Sequence, residues 1–313
     1  MNKFDKLSNS YLASNYTDHD RLYYMKCFTA GLFPCGLTHT ALTPLDVIKC
    51  RKQTHYAKYP NLKEGIKITW KEEGIRGLYL GWQPTIIGYA LQGSAKYGFY
   101  EIFKDLFKNV IRPDYLTLRY MLSSATAEIL ADCLLCPWES LKVRIQTSPQ
   151  GQFPNKLIPA FKELQIEGFH GFYKGLFPLI LRQVPNTMVK FATFENTVKF
   201  IYKNIFTKQK SEYSYLTKLS ITYFSGLIAG TVCTFVSNPG DIFVSKLNST
   251  RTSKEIPLLK AIKIIYNEIG FLGLWRGLYI RILIVGSLSG LEWLIYDSFK
   301  TMVGLETTGS RHG

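Results

Sequence analysis

Lys96, Lys190 and Glu292 hold the same place in three stretches of the chain, each five residues before an acid that follows an aromatic residue: Tyr100-Glu101, Phe194-Glu195 and Tyr296-Asp297. Two ammonium groups at matched positions, facing one cavity, would hold a small oxyanion through charge-assisted hydrogen bonds. Gln92, one helical turn before Lys96, could donate to an anion oxygen, and Arg182 and Arg281 would guide the anion from one end. A second set of residues suits proton movement. Glu128, Asp132 and Glu139 fall at i, i+4 and i+11, on one helical face, and His39 precedes Asp46 by seven residues, again on one face. Histidine titrates near physiological pH without help. A carboxylate with no base beside it in a low-dielectric setting can take up and release a proton near neutral pH. These spacings suggest a proton route through His39, Asp46, Glu128 and Glu139.

The elements that position these residues come in threes. Pro44-x-Asp46-x-x-Lys49-x-Arg51 returns as Pro137-x-Glu139-x-x-Lys142-x-Arg144 and as Pro239-x-Asp241-x-x-Val244-x-Lys246. Glu73-Gly74, Glu167-Gly168 and Ile269-Gly270 are each followed by an aromatic-x-Gly turn. These are Tyr79-Leu80-Gly81, Tyr173-Lys174-Gly175 and Trp275-Arg276-Gly277. The glycines after the acid step by 94 and then 102 residues, and the acids of the aromatic motif step identically. A period of about a hundred residues implies three copies of one unit. The sequence divides into a polar tail 1–20, units 21–112, 113–212 and 213–304, and a tail 305–313.

Each unit reads as a long apolar segment ending in the proline motif, a short amphipathic segment, and a second long segment. The six long segments run over roughly 22–54, 82–108, 117–147, 176–205, 217–248 and 278–303. At 1.5 Å per residue such helices exceed the ~30 Å hydrocarbon core of a bilayer, so tilted spans are expected. Pro44, Pro137 and Pro239 stand mid-segment, where proline removes a backbone hydrogen bond and kinks a helix. Beyond the kinks Asp46, Glu139 and Asp241 would meet Lys49 and Lys142 around the threefold axis. Charges such as Glu128, Asp132, Lys96, Lys190 and Glu292 inside membrane segments face water or a partner and mark function.

The 313 residues carry 38 basic and 23 acidic side chains, a net charge of +15, which suits anionic partners. Hydrophobic residues make up 46% and yet the mean hydropathy is −0.01, which fits either a soluble α-helical protein or membrane helices that line a polar cavity. Cys133-Leu-Leu-Cys136 has no second pair and reads as helix packing rather than a zinc or redox site. Residues 1–20 include Asp5, Asp18 and Asp20 and fit neither a secretory signal nor an Arg-rich transit peptide, so any address is expected to be internal. No P-loop, H-E-x-x-H or G-x-S-x-G motif points to an enzyme, and no nucleic-acid motif occurs.

The tandem proline motifs, each followed by an acid-glycine and aromatic-x-glycine turn, resemble the mitochondrial carrier family over residues 22 to 304. Finer strings are similar to its phosphate carriers. They are Thr38-His39-Thr40, Gly88-Tyr89-Ala-Leu-Gln92-Gly93-x-x-Lys96, Ala125-Thr-Ala-Glu128, Arg182-Gln183-Val-Pro185-x-Thr187-Met-Val-Lys190-Phe191 and Trp293-x-Ile-Tyr296-Asp297-Ser298. The resemblance implies an all-α, multi-pass protein of the mitochondrial inner membrane, with six tilted helices and three amphipathic matrix helices. It also implies import of phosphate with a proton, or in exchange for hydroxide, by alternating access. It pairs the acid of one unit with the base of another, giving a matrix gate of Asp46 with Lys142 and Asp241 with Lys49, and leaves Glu139 facing Val244. The cytosolic gate would comprise Glu101, Lys104, Glu195, Asp297 and Lys300, with Val198 at the base position of unit two. Glu292 stands where the phosphate carriers have glutamine. The turns at Gly81, Lys174, Gly175, Arg276 and Gly277 start new helices, whose N-termini attract phosphate groups, so cardiolipin contacts are expected there. No other cofactor is expected, and a monomer is. An alternative cargo is another anion, or copper held by thiols such as those of Cys27, Cys35 and Cys50.

Overall fold

The computed structural model describes residues 20–54, 58–148, 153–173, 175–206, 212–249, 258–275 and 278–308, and among them it is helical with no strand. Unit one comprises α1 (Arg21–Ala41), α2 (Thr43–Thr54), α3 (Leu62–Leu78) and α4 (Trp82–Leu106). Unit two follows a 3-10 turn at Pro113–Tyr115 with α5 (Leu116–Thr147), α6 (Leu157–Ile166), α7 (Gly168–Tyr173) and α8 (Leu176–Asn204). Unit three has α9 (Tyr215–Ser249), α10 (Leu258–Gly273) and α11 (Leu278–Met302). The long helices pack in chain order, α1 on α4, α4 on α5, α5 on α8, α8 on α9 and α9 on α11, and α11 closes back on α1. A ring of six helices leaves a central axis toward which the threefold positions can converge.

By length and hydropathy alone, two stretches of the described helices qualify as membrane spans, Tyr215–Pro239 and Arg281–Met302. The other long helices carry polar and charged residues on faces turned to the axis, such as Glu128 and Asp132 on α5, both fully buried. That dilution follows from lining a polar interior, and it is the reason the mean hydropathy of the chain is so low.

The three prolines do not act alike. Pro137 and Pro239 sit inside unbroken α5 and α9. In unit one the expected kink is a break. Leu42 leaves helical geometry (φ −88°, ψ 1°) and caps α1 by donating to the Thr38 carbonyl, so Pro44 becomes the second residue of a new helix. In a first turn the absent N–H of proline has no partner to lose. Two further prolines, Pro34 in α1 and Pro185 in α8, lie inside helices and belong to no threefold motif.

The acid-glycine pair has a mechanical role. Gly74, Gly168 and Gly270 all have φ of 65–70°, a left-handed turn open to glycine, and there each amphipathic segment bends. The preceding acid is clamped by the last base of the proline motif. Arg51 donates through Nη1 and Nη2 to the two oxygens of Glu73 at 2.7 and 2.9 Å, and Arg144 holds Glu167 in the same forked way. Such bidentate pairs fix orientation as well as distance. Unit three has Ile269 in place of the acid. A second tie joins the residue before the proline to the amphipathic segment. Cys136 Sγ and Ser140 Oγ donate to the Phe172 carbonyl at 3.3 and 2.9 Å, and Asn238 Nδ2 donates to the Leu274 carbonyl at 2.6 Å. Cys136 thus belongs to helix packing.

Candidate functional site

Along the axis, α4, α8 and α11 bring Lys96, Lys190 and Glu292 together with residues of α1 and α5. Each lysine has its own carboxylate. Lys190 Nζ donates to Glu292 Oε2 at 3.3 Å, and Lys96 Nζ lies 3.8 Å from Glu128 Oε2. Lys96, Glu128 and Glu292 are all buried. The cations are therefore balanced from within the protein, by helices of different units. A buried charge that lost such a partner would be strongly destabilised, so an incoming anion has to replace a carboxylate rather than fill a vacancy.

Gln92 is turned differently from the sequence expectation. Its amide nitrogen donates to Glu128 Oε1 at 2.9 Å and to Asp132 Oδ1 at 3.3 Å, which accounts for both amide hydrogens. Gln183 of α8 donates to the same Asp132 oxygen at 3.1 Å. In this conformation Gln92 bridges two carboxylates one turn apart on α5 and has no donor left for a ligand. Asp132, one of the charges that the sequence marks inside the long segments, and Gln183 extend the network.

His39 lies with Glu292. Its ring stacks on Tyr89 at 3.8 Å between centroids, and its Nε2 is 3.7 Å from Glu292 Oε1. The expected order of proton groups is thus divided. Glu128 belongs with Lys96 and Gln92, His39 with Glu292, and Asp46 and Glu139 with Lys142. Tyr89 joins the last two groups, since Lys142 Nζ sits 5.0 Å over its ring. The divided order arises because α1 packs against α11 as well as α4, which swings His39 toward unit three.

At the end carrying the proline motifs, Lys142 donates to Asp46 Oδ2 at 2.9 Å, across units one and two. Glu139 does have a cation near it, its own Lys142 at 3.6 Å one turn along α5. Lys49 is exposed, and the side chain of Asp241 lies outside the described residues, as does that of Val244. Arg182 is exposed, and Arg281 Nη1 donates to Asn238 Oδ1 at 3.0 Å. Gly81 (φ 77°) caps α4 and abuts Gln146, whose amide donates to the Leu80 carbonyl at 3.0 Å. Gly175 has open space around it, and Lys174, Arg276 and Gly277 lie outside the described residues.

At the other end the acids are fully enclosed. Lys104 Nζ contacts Glu101 Oε2 at 2.7 Å and reaches across to Glu195 Oε1 of unit two at 3.5 Å. Tyr23 donates to Glu101 and Tyr100 to Glu195, both at 3.2 Å. Asp297 accepts from Thr222 Oγ1 at 2.7 Å and from the backbone and hydroxyl of Thr308, and Lys300 Nζ donates to Thr308 Oγ1 at 3.4 Å. Between this ring and the lysines lies a plug of Tyr97, Phe191 and Trp293, one residue past Lys96, Lys190 and Glu292. Tyr97 and Phe191 are 5.5 Å apart, Phe191 and Trp293 5.0 Å, and Tyr97 and Trp293 5.2 Å. All three are 0–1% exposed, so this end is shut. The signal for the triad was present in the same register that marks the lysines. Among the described residues no group of three metal-ligating side chains forms.

Comparison with known proteins places this architecture. The mitochondrial carrier protein family profile matches residues 20–110, 114–205 and 217–306. The probable mitochondrial phosphate carrier protein of Schizosaccharomyces pombe is 48% identical over 293 residues, spanning 92% of this chain and 93% of that one. Mitochondrial phosphate carrier protein 2 of Arabidopsis thaliana is 46% identical over 92% of this chain and 78% of its own length. Human solute carrier family 25 member 3 is 45% identical over 89% of this chain and 76% of its own. The chain therefore belongs to the mitochondrial carrier protein family, as a multi-pass protein of the mitochondrial inner membrane, and is not an enzyme.

Proposed function

We propose that the protein carries inorganic phosphate into the matrix together with a proton, by alternating access between the two ends of the ring. The observation that carries this reading is the pairing of Lys96 and Lys190, on separate units, with buried carboxylates midway between the two sets of gating residues. Phosphate offers oxygens that both ammonium groups can share. A proton delivered to Glu292 or Glu128 neutralises the competing acceptor and frees the lysine beside it. The anion takes its place, so charge in the site stays balanced during the crossing. The relatives' names point to the same cargo.

Cycling then follows from the gates. With the cytosolic side open, phosphate and proton enter together. Closure of the Tyr97, Phe191 and Trp293 plug and of the acids beyond it seals that side. Rupture of the Asp46–Lys142 pair opens the matrix side. Each ring is short of a base, so neither closure is strong, and a substrate's differential binding can shift the equilibrium between them. Loss of the proton to the matrix restores the carboxylate to its lysine and expels the anion. His39, beside Glu292, supplies the proton from one side, with Asp46 and Glu139 on the path out. We also assign cardiolipin to the turns at Gly81, Lys174, Gly175, Arg276 and Gly277, and take the monomer as the working unit.

Proteoliposomes containing the purified protein test the proposal. Labelled phosphate should enter faster under an inward proton gradient than without one, and should accumulate. Uptake of copper in its place, or phosphate uptake indifferent to the gradient, would overturn it.

A further inference from the structure

The cytosolic ring has a gap, and the segment that follows α11 fills it. Lys104 of unit one reaches Glu195 of unit two. By the same rotation the base of unit two should reach Asp297 of unit three, but that position is Val198, a buried side chain with no charge to offer. Asp297 is nevertheless wholly enclosed, at 0% exposure. A buried carboxylate without partners would be strongly unfavourable. Its partners come from Thr222 and from Thr308, eleven residues further along the chain. The Thr308 N–H is 3.0 Å from both carboxylate oxygens, and Thr308 Oγ1 donates to Oδ1 at 2.7 Å.

The local backbone explains how the chain gets back there. α11 ends in a turn with Gly304 at φ 78°, the Leu305 N–H donates to the Lys300 carbonyl at 2.8 Å, and the Gly304 N–H to the Thr301 carbonyl at 3.1 Å. A left-handed glycine with a six-to-one hydrogen bond reverses the chain against its own helix. Thr307 and Thr308 are then only 3% and 4% exposed.

We propose that residues 305–308 are a strap that completes the cytosolic closure, with Thr308 standing in for the base that unit two lacks at Val198. Thr308 Oγ1 accepts from Lys300 and donates to Asp297, so it links the base and the acid that unit three brings to the cytosolic ring. Opening toward the cytosol requires Thr308 to leave Asp297. Of the groups around Asp297, the strap is the one that is not part of a membrane-spanning helix and can withdraw without moving one. This rests on the alternating-access reading above, though not on the identity of the cargo.

Cys27 gives the test. It is fully buried in α1, one turn along from Tyr23, which donates to Glu101 of the closure. In mitochondria with a permeabilised outer membrane, an impermeant maleimide reaches this thiol only when the cytosolic side opens. Labelling is read by peptide mass mapping. Ending the chain after Gly304 should raise the Cys27 labelling rate about tenfold, as expected for losing several hydrogen bonds to one carboxylate. Thr308→Ala, which keeps the backbone donor and the rest of the strap, should raise it severalfold and covers the case in which truncation unfolds the carrier. Adding Val198→Lys to either variant should return labelling toward the native rate, because a lysine there supplies the missing base. Unchanged labelling in both variants, or raised labelling that Val198→Lys does not suppress, would overturn the proposal. A protein that failed to move phosphate would sink the reading of the cargo and leave this labelling pattern as it is.

Discussion

Replacing Glu292 with glutamine separates the site's internal balance from its affinity for cargo. The carboxylate accepts from Lys190 at 3.3 Å and is 2% exposed. At an effective dielectric near 20, that separation corresponds to a gross attraction of about 5 kcal/mol, most of which offsets the desolvation of the two groups. The net value expected for a charge-assisted hydrogen bond is ~1.5–3 kcal/mol. Glutamine keeps an acceptor of the same shape, so the loss should fall at the lower end. The ligand-free protein should thus unfold at a lower temperature. Phosphate, no longer competing with the carboxylate for Lys190, should bind roughly tenfold more tightly, the equivalent of ~1.4 kcal/mol. By linkage, saturating phosphate should then raise the unfolding temperature more in Glu292→Gln than in the native protein. Thermal unfolding in detergent with and without phosphate, together with KM in proteoliposomes, reads both effects. Equal phosphate-induced shifts in the two proteins, or a loss of phosphate transport in the variant, would refute the reasoning.

Other outcomes follow from the same geometry. His39→Ala should abolish uptake driven by a pH gradient, and native coupling in that variant, measured with an internal pH dye, would remove histidine from the proton path. Arg51→Ala leaves Glu73 without its fork and should destabilise the protein by about 1.5–3 kcal/mol in thermal denaturation. The same change at Lys49, which is exposed, should have an effect near zero. Tyr97→Ala opens a hole in the aromatic plug and should cost about 3–5 kcal/mol, while raising maleimide labelling of Cys27.

The three units and the matched places of Lys96, Lys190 and Glu292 were legible because a repeat fixes register without any need to know what each residue touches. The same register carried Tyr97, Phe191 and Trp293, one place along, but apolar residues in apolar segments announce no role. Partner choice was less legible. The spacing of Gln92 from Lys96 says they share a face, yet the amide turns to Glu128 and Asp132 because α5 presents two carboxylates where α4 crosses it. The register puts His39 on one helical face with Asp46, yet its near acid is Glu292, since nothing local reveals that α1 leans on α11. The forks between Arg51 and Glu73 and between Arg144 and Glu167 were visible only as two motifs of similar spacing. The contact of Thr308 with Asp297 has no counterpart in the other units among the described residues, so no repeat in the sequence signals it.

The lysine–carboxylate pairs bear on what the protein does with nothing on board. A carrier whose cations lie bare when unloaded is held back until a second anion arrives, and it can then only swap one solute for another. Here Glu128 and Glu292 act as resident counter-ions, so neither lysine is bare when the protein is unladen. On the proposed cycle such a protein can make the return trip alone. One-way accumulation, as opposed to strict barter between compartments, is what the proposed cycle draws from that arrangement.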